Sequence, residues 1–250
     1  MRRIATTVLS PLLTVLLALA LCPAAGAQVP LTAYGVPVTE DFNTLAANLS
    51  STVVPAGWAF FETGTNANGG YVANNGSSNT GDTFSYGASL VPERAFGALR
   101  SGSLVTTVGA AFVNNIGGPV GRLDIEYVGE QWRLGTLGRL DQWDFQYSLN
   151  ATSLVTGTWT DVDALDFIAP TQAGTVGALD GNVSPNRTLI SATISGLALT
   201  PGAVIWIRWS DLDATGADDG LAVDDFQLIP REPPVPVQSA TMGGLKGAYR

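Results

Sequence analysis

The sequence has no histidine, a single cysteine and a single lysine among its 250 residues. Without histidine there can be no Ser-His-Asp triad, no imidazole base and no His-ligated zinc. Cys22 lies in the amino-terminal apolar segment and Lys246 lies near the carboxyl terminus, so a thiol nucleophile or a Schiff-base lysine is not expected in the body of the protein. Only carboxylates, hydroxyls and arginines remain, and we therefore expect the protein not to be an enzyme.

Positive charge is also scarce. Twelve Lys and Arg residues face 21 Asp and Glu residues, which gives a formal net charge of −9. Such a balance disfavours nucleic acid and anionic membranes as direct partners.

The first 27 residues have the pattern of a secretory signal peptide. Arg2 and Arg3 precede an apolar run from Leu12 to Leu21, and the small residues at 25–27 predict cleavage after Ala27. A lipid anchor at Cys22 is the alternative, although Leu21 stands where that signal needs a small residue. No later run reaches the ~20 apolar residues of a membrane span. We expect a secreted or cell-surface protein that is stabilised by burial or by a bound ion, since cleavage removes Cys22.

Residues 28–229 show the alternation of half-buried β-strands. Apolar and polar residues alternate in segments 122–128, 143–149, 188–197 and 203–211, with Gly-, Asn- and Ser-rich turns between them. This pattern predicts an all-β fold, a two-sheet antiparallel β-sandwich of the jelly-roll type, like the concanavalins and carbohydrate-binding modules.

Residues 230–250 differ in character. A proline-rich linker leads into a short basic tail with the sequence SATMGGLKGAYR. The tail is either a sorting signal that secretion machinery recognises or a frayed terminus.

Several segments together carry a family resemblance: VTEDFNTL and VVPAGWAF within 38–60, ERAFGALRSGS at 93–103, YVGEQWRLG at 127–135 and GLAVDDFQL at 220–228. The chain resembles a bacterial secreted jelly-roll module, found at the amino-terminal end of extracellular nucleases of the endonuclease/exonuclease/phosphatase type and in cell-surface adhesin-like proteins. The resemblance implies a non-catalytic module for adhesion or matrix binding. The alternatives are a glycan-binding module and an accessory domain of an extracellular hydrolase or nuclease.

The same resemblance implies a structural Ca²⁺ where the first and last strands meet. The matching positions are Glu40, Asp41, Asp224 and Asp225. On a regular strand Asp224 shares a face with Phe226, so we expect Asp224 to be the more buried of the two aspartates. The alternative is a carboxylate that bonds to loop amides or to Arg94 or Arg208, because a buried carboxylate needs a partner or a metal.

A second acidic segment precedes the last strand. Asp211, Asp213 and Asp219 imitate part of an EF-hand loop, but Ala222 stands where the bidentate glutamate is required. These residues are either a looser Ca²⁺ loop or polar turn residues.

A pair of carboxylates on one predicted strand is a candidate for the acid and base of a glycosidase. Asp124 and Glu126 share a strand face with Glu130 beyond them, but this spacing does not match the arrangement of the sandwich glycosidases. We therefore expect a solvated strand face.

Tryptophan and tyrosine rings are the candidates for glycan contact. Trp132, Trp159 and Tyr71 lie beside turn-rich segments and are candidates for stacking on sugar rings, whereas Trp206 and Trp209 lie in apolar strand patterns and are expected in the core. The alternative is that the three candidate rings pack within the fold or cover the end of a sheet. The ligand would be a polysaccharide or another surface or matrix component.

Two family-like segments pair an acid with a base. Glu93 with Arg94, and Glu130 with Arg133, are expected to form buried ion pairs that join loops to the sheet. The alternative is that the arginines contact a ligand.

Overall fold

The computed structural model describes residues 27–234, and strands are its dominant element. Within that range there is no α-helix, only a short 3₁₀ helix at Asp163–Leu165, and no helix is long and apolar enough to cross a membrane. In chain order the strands are β1 (Val29–Leu31), β2 (Val38–Glu40), β3 (Ser50–Ser51), β4 (Trp58–Thr63), β5 (Tyr71–Asn74), β6 (Asp82–Tyr86), β7 (Ala95–Leu99), β8 (Val105–Asn114), β9 (Val120–Leu134), β10 (Gln142–Ser148), β11 (Thr160–Asp161), β12 (Phe167–Ile168), β13 (Gly177–Ala178), β14 (Arg187–Leu199), β15 (Val204–Asp211) and β16 (Gly220–Arg231).

The strands form two sheets that pack face to face. The seven-stranded sheet has the order β1-β8-β15-β10-β11, with β4 also on β8 and β12 also on β10. The nine-stranded sheet has the order β13-β9-β16-β7-β6-β5-β3, with β14 also on β9 and β2 also on β16. The predicted all-β sandwich is confirmed. The sheets are mixed rather than wholly antiparallel, because β1 runs parallel to β8 and β5 runs parallel to β6.

The four segments of alternating polarity are strands, as predicted. They correspond to β9, β10, β14 and β15. The inward residues of these strands fill a core between the sheets whose centre is Trp209, which packs edge-on against Phe145, Tyr127 and Phe226.

The expected position of Trp206 in the core is wrong. Ile205, Ile207 and Trp209 are fully buried on β15, so alternation turns Trp206 to the outer face of the seven-stranded sheet, where it is half-buried.

The predicted segment boundaries fall partly outside the described residues. The proposed signal peptide and most of the tail lie there, and the predictions for them stand untested. At the other end of the domain, β16 continues to pair with β9 through Arg231, two residues past the predicted end of the domain at 229.

We expect Trp209→Ala to lower the free energy of unfolding by about 3–5 kcal/mol, because it empties the centre of the core. Trp206→Ala, on the outer face of the same strand, is the matched control and is expected to cost about 1 kcal/mol. Urea denaturation of both variants measures the difference. Equal losses would contradict the assignment of the two faces.

Candidate functional site

The closing strand changes partner at Asp224 and Asp225. Residues 220–223 of β16 pair with β7, whereas residues 226–228 pair with β2. Between these two stretches the register against β9 shifts, and Asp225 has a φ of 46°. Such a shift is a β-bulge, which adds a residue to one strand and re-aims its side chains.

The bulge sends the two aspartates to different surroundings. Asp224 is 4% exposed, whereas the side chain of Asp225 is 59% exposed. Asp224 is the more buried residue, as expected, but it does not share a face with Phe226. Phe226 belongs to the core between the sheets, whereas Asp224 lies with Glu130 on the outer face of the nine-stranded sheet.

Asp224 joins Glu93 and Glu130 in what we name the Glu130 cluster. Each of the three carboxylates places an oxygen within 4.8 Å of the other two. Trp132 Nε1 donates a hydrogen bond to Glu130 Oε2 over 3.0 Å. Glu130 Oε1 and Asp224 Oδ1 are buried and have no hydrogen-bond partner among residues 27–234. This arrangement leaves two buried oxygens available to a cation.

Two carboxylates of the Glu130 cluster, those of Glu130 and Asp224, have raised pKa values, because they are buried and little positive charge lies near them. Desolvation raises the pKa of Glu130 to about 8, although the hydrogen bond from Trp132 acts in the other direction. Desolvation, together with the charge of Glu130, raises the pKa of Asp224 to about 8. The nearest cation is Arg187, whose Nη2 lies 3.5 Å from Glu130 Oε1 and also 3.5 Å from Asp225 Oδ2. One shared guanidinium leaves the cluster with an excess of negative charge.

A second group, which we name the Asp211 cluster, contains Asp141, Asp211 and Asp218. It forms where β15 ends and where β10 and β16 begin, and its carboxylate oxygens also lie within 4.8 Å of one another. Trp143 Nε1 donates to Asp211 Oδ2 over 3.1 Å. Asp211 Oδ1 and Asp218 Oδ1 are buried and accept no hydrogen bond within the described part of the chain, although Arg139 Nη2 lies 3.8 Å from Asp218 Oδ1.

Two residues beside the Asp211 cluster hold it in place. Asp219 accepts hydrogen bonds from Gly135 N and Gln131 Nε2, and its own backbone N–H donates to Asp141 Oδ2 over 2.6 Å. Arg139 Nη1 lies 3.0 Å from Asp141 Oδ2 and partly neutralises the group. Burial nevertheless raises the pKa of Asp211 well above its usual range and that of Asp218 to about 6.

The three aspartates of the second acidic segment, Asp211, Asp213 and Asp219, lie in different surroundings. Asp211 lies in the buried cluster, and Asp219 supports it with both oxygens already bonded. Asp213 is outside it, 75% exposed and 3.3 Å from Arg100 Nη2. Sequence reasoning missed Asp141, Asp218 as a ligand, and Glu93 and Glu130 as partners of Asp224, because strand pairing and not sequence spacing brings these residues together.

The predicted junction site is split by the same bulge. Glu40, Asp41 and Asp225 line one surface cleft of about 490 Å³, and Glu126 contributes to it. Glu40 Oε1 accepts a hydrogen bond from Phe42 N, and Asp41 Oδ1 accepts one from Asn43 N. Asp224 is in the Glu130 cluster, so the structure does not bring all four predicted ligands together.

Two of the three predicted sugar-stacking rings are buried. Tyr71 is 1% exposed, and its hydroxyl donates to Val53 O. Trp132 is 3% exposed and stacks on Tyr86 at 5.8 Å. These rings have no free face, so the prediction does not fit them. Trp159 is half-buried, and the Arg208 guanidinium covers its ring at 3.9 Å.

The remaining predicted pairs find other partners. Asp124 accepts hydrogen bonds from Arg231 Nε at 2.6 Å and from Thr193 Oγ1 at 2.8 Å, so it is not poised beside Glu126 as an acid–base pair. The predicted ion pairs of Arg94 and Arg133 are wrong, since both guanidinium groups donate to backbone carbonyls, those of Ala88 and Gly76 among them. A buried backbone carbonyl needs a hydrogen-bond donor, and these two arginines supply donors to the carbonyls of adjacent loops.

Comparison with known proteins gives a likeness of fold. No family model matches the chain, and no curated protein matches it. Solved structures with a similar arrangement include an adhesin domain of Lys-gingipain from Porphyromonas gingivalis (TM-score 0.39, 13% identity, 70% of this chain and 93% of that chain). A second is the module TmCBM61 in complex with β-1,4-galactotriose (TM-score 0.34, 11% identity, 69% of this chain and 88% of that chain). A third is the enzymatically active domain of tailspike protein 4 of bacteriophage CBA120 (TM-score 0.36, 11% identity, 70% of this chain and 19% of that chain).

At these values the likeness extends to the β-sandwich fold alone. The chain spans about a fifth of the tailspike structure and most of the two binding domains. None of the three is a nuclease module, so the resemblance to nuclease accessory domains stays a prediction.

The buried carboxylates predict a stability that falls with rising pH when divalent ions are absent. Folding raises the pKa of Glu130 and Asp224 from ordinary values near 4 to about 8, so the protonated forms favour the folded state. That contribution is complete below the unfolded values and is lost as the pH rises through 8. In EDTA we expect the free energy of unfolding to drop by at least about 1.4 kcal/mol, the equivalent of one pKa unit, between pH 5 and pH 9.

Urea titrations at several pH values measure this dependence. The variant Glu130→Gln/Asp224→Asn should show a flatter profile, because it has no buried acid to ionise at these positions. Asp225→Asn is the matched control, since Asp225 is exposed. A wild-type stability that increases towards pH 9 in EDTA would contradict the assignment.

Proposed function

We propose that the protein is a secreted, non-catalytic β-sandwich module that is stabilised by Ca²⁺ and binds a carbohydrate or another component of a cell surface or matrix. The observation that carries the cation part is the Asp211 cluster. Its three carboxylates are buried, and two of their oxygens, Oδ1 of Asp211 and Oδ1 of Asp218, accept no hydrogen bond in the part of the chain that the structure describes.

Charge favours a divalent cation at this position. Asp141, Asp211, Asp218 and the adjacent Asp219 are each at most 6% exposed, and the nearest positive group is Arg139. Burying ionised carboxylates without compensation is strongly unfavourable, so such groups are paired, protonated or bound to metal. A divalent ion would offset most of the excess charge.

The donor set fits Ca²⁺ best. Ca²⁺ takes six to eight oxygen ligands, largely carboxylates and carbonyls, in flexible geometry. Mg²⁺ keeps several of its waters and demands a strict octahedron, and Zn²⁺ prefers nitrogen and sulfur donors. Because the ligands belong to the ends of β15, β10 and β16, one ion would join both sheets.

The chemistry of the chain favours binding over catalysis. Histidine is absent, the single cysteine lies in the proposed signal peptide, and Asp124 on β9 is held by Arg231. The net charge of −9 disfavours polyanionic ligands. A neutral glycan or a surface component of similar chemistry is therefore the proposed ligand, in keeping with the family resemblance.

Thermal melts of residues 28–231 in EDTA and in millimolar Ca²⁺ test the cation part. A cation at 100 times its dissociation constant adds about 2.7 kcal/mol to the folded state, which should raise the wild-type Tm by about 5–10 °C. Asp141→Asn/Asp211→Asn should lose most of that rise.

The matched control is Asp213→Asn, a change of the same kind two residues from Asp211 at an exposed position, which should keep the full rise. If Ca²⁺ leaves the wild-type Tm unchanged at pH 7.5, the Asp211 cluster holds protons and not a cation, and the proposal fails.

A further inference from the structure

The Glu130 cluster differs from the Asp211 cluster in that one of its three acids, Glu93, is only half-buried. Glu93 lines a cleft of about 390 Å³. Trp132 lies at the base of this cleft, and Asn182 Nδ2 donates to Glu93 Oε2 at its rim. The other polar residues that line the cleft are Asn75, Ser89 and Asp180.

A second observation, independent of the acidic cluster itself, points to a ligand inside it. Glu130 is 0% exposed and its Oε1 has no hydrogen-bond partner, and the same holds for Oδ1 of the 4% exposed Asp224. Arg187 approaches Glu130 Oε1 only to 3.5 Å, and it divides its charge with the exposed Asp225. Buried oxygens of this kind are rare in folded proteins unless an ion or a water satisfies them.

We propose that Glu93, Glu130 and Asp224 form a second Ca²⁺ site whose outer coordination positions open onto the cleft and accept hydroxyl oxygens of a neutral saccharide. The cation site itself does not depend on the Asp211 cluster. The choice of a saccharide as the ligand rests on the proposed function.

The ligand count leaves room for such a partner. Three carboxylates supply fewer oxygens than the six to eight that Ca²⁺ requires, even if one of them binds with both atoms. Glu130 and Asp224 close the inner side, because they are buried on β9 and β16, so the free positions face Glu93 and the cleft. Waters occupy such positions in the absence of a ligand, and vicinal hydroxyl groups can replace them.

The lining of the cleft suits a polyhydroxylated ligand. Side-chain amides and a hydroxyl offer both donors and acceptors, and the volume falls within the range of small-ligand sites. Asp180 adds a negative charge to the lining, which disfavours an anionic sugar, and the choice of a neutral sugar follows from the proposed function.

The test uses Tb³⁺ as a luminescent substitute for Ca²⁺ and the wild-type protein at pH 7.5. Each cluster has a tryptophan whose indole N–H bonds to one of its carboxylates, Trp132 at Glu130 and Trp143 at Asp211, so Tb³⁺ at either place is excited through an indole ring. In Asp141→Asn/Asp211→Asn, the remaining signal reports the Glu130 cluster alone.

In that background, Glu130→Gln/Asp224→Asn should weaken Tb³⁺ binding at least about 100-fold, because affinity follows the number of charged ligands. Asp225→Asn, the matched neighbour, should change it little. Comparison of luminescence decay in H₂O and D₂O counts the water ligands, and we expect at least two. An unchanged affinity in the Glu130→Gln/Asp224→Asn variant, or a site with no water ligand, would overturn the open cation site.

The ligand class is tested on the same sample with neutral trisaccharides of glucose, galactose, mannose and xylose at 10 mM. A saccharide that displaces water lengthens the decay in H₂O, and Asn182→Ala should abolish that effect without loss of Tb³⁺. If none of the four trisaccharides lengthens the luminescence decay in H₂O, the saccharide assignment is overturned. The number of water ligands still decides the cation site in that case. Loss of the Ca²⁺-dependent Tm rise at the Asp211 cluster is a separate result that bears on the proposed function alone.

Discussion

Strand β16 has one continuous neighbour and two short ones, and this mismatch governs the outer face of the nine-stranded sheet. Its long partner β9 runs beside it from Gly220 to Arg231, whereas on the other edge β7 ends its pairing at Val223 and β2 begins at Phe226. The extra residue needed at the change of partner adopts a left-handed conformation at Asp225. Aspartate tolerates this region better than most residues. The bulge keeps Val223 and Phe226 in the core and places Asp224 among acids on the outer face.

Once Asp224 lies beside Glu130, the arrangement of positive charge decides the chemistry. Two nearby arginines are already committed, Arg94 to Ala88 O and Ser85, and Arg133 to carbonyls of the loop that begins at Gly76. Arg187 is the remaining cation, and it lies between two acids. The protein therefore holds the Glu130 cluster as a buried group of acids with little compensating positive charge, and desolvation by burial is the main cause of the raised pKa values.

Local sequence patterns predict the strands but not the clusters. Alternation identifies β9, β10, β14 and β15, because the inward side chains of each strand are apolar regardless of the partner strand. The same rule misplaced Asp224, since a bulge breaks the period of two and no residue type marks it without knowledge of where β7 ends. The partners of Asp211 come from positions 141 and 218, and those of Asp224 from 93 and 130. Such distant residues meet only through sheet register, which one sequence does not encode in any local pattern. For the same reason the sequence left open whether Tyr71 and Trp132 pack in the fold or contact a ligand, because turn-rich neighbours in the sequence do not reveal which loop covers a ring.

The two clusters share one local device and differ in one respect, and that difference separates their roles. In each cluster, an indole N–H donates to one carboxylate oxygen and so fixes the orientation of the other oxygen. Trp132 donates to Glu130, two residues away on the same strand, and Trp143 donates to Asp211 on the neighbouring strand. Around Asp211, Arg139 and the backbone of Asp219 contact Asp141, and all three acids are buried although Asp218 also lines a cleft, so an ion there would serve to hold both sheets together. Around Glu130, the third acid is the half-buried Glu93 on the wall of a cleft. An ion at that position would keep part of its coordination sphere exposed, and exposed coordination positions are what a cation needs in order to take part in recognition as well as in stability.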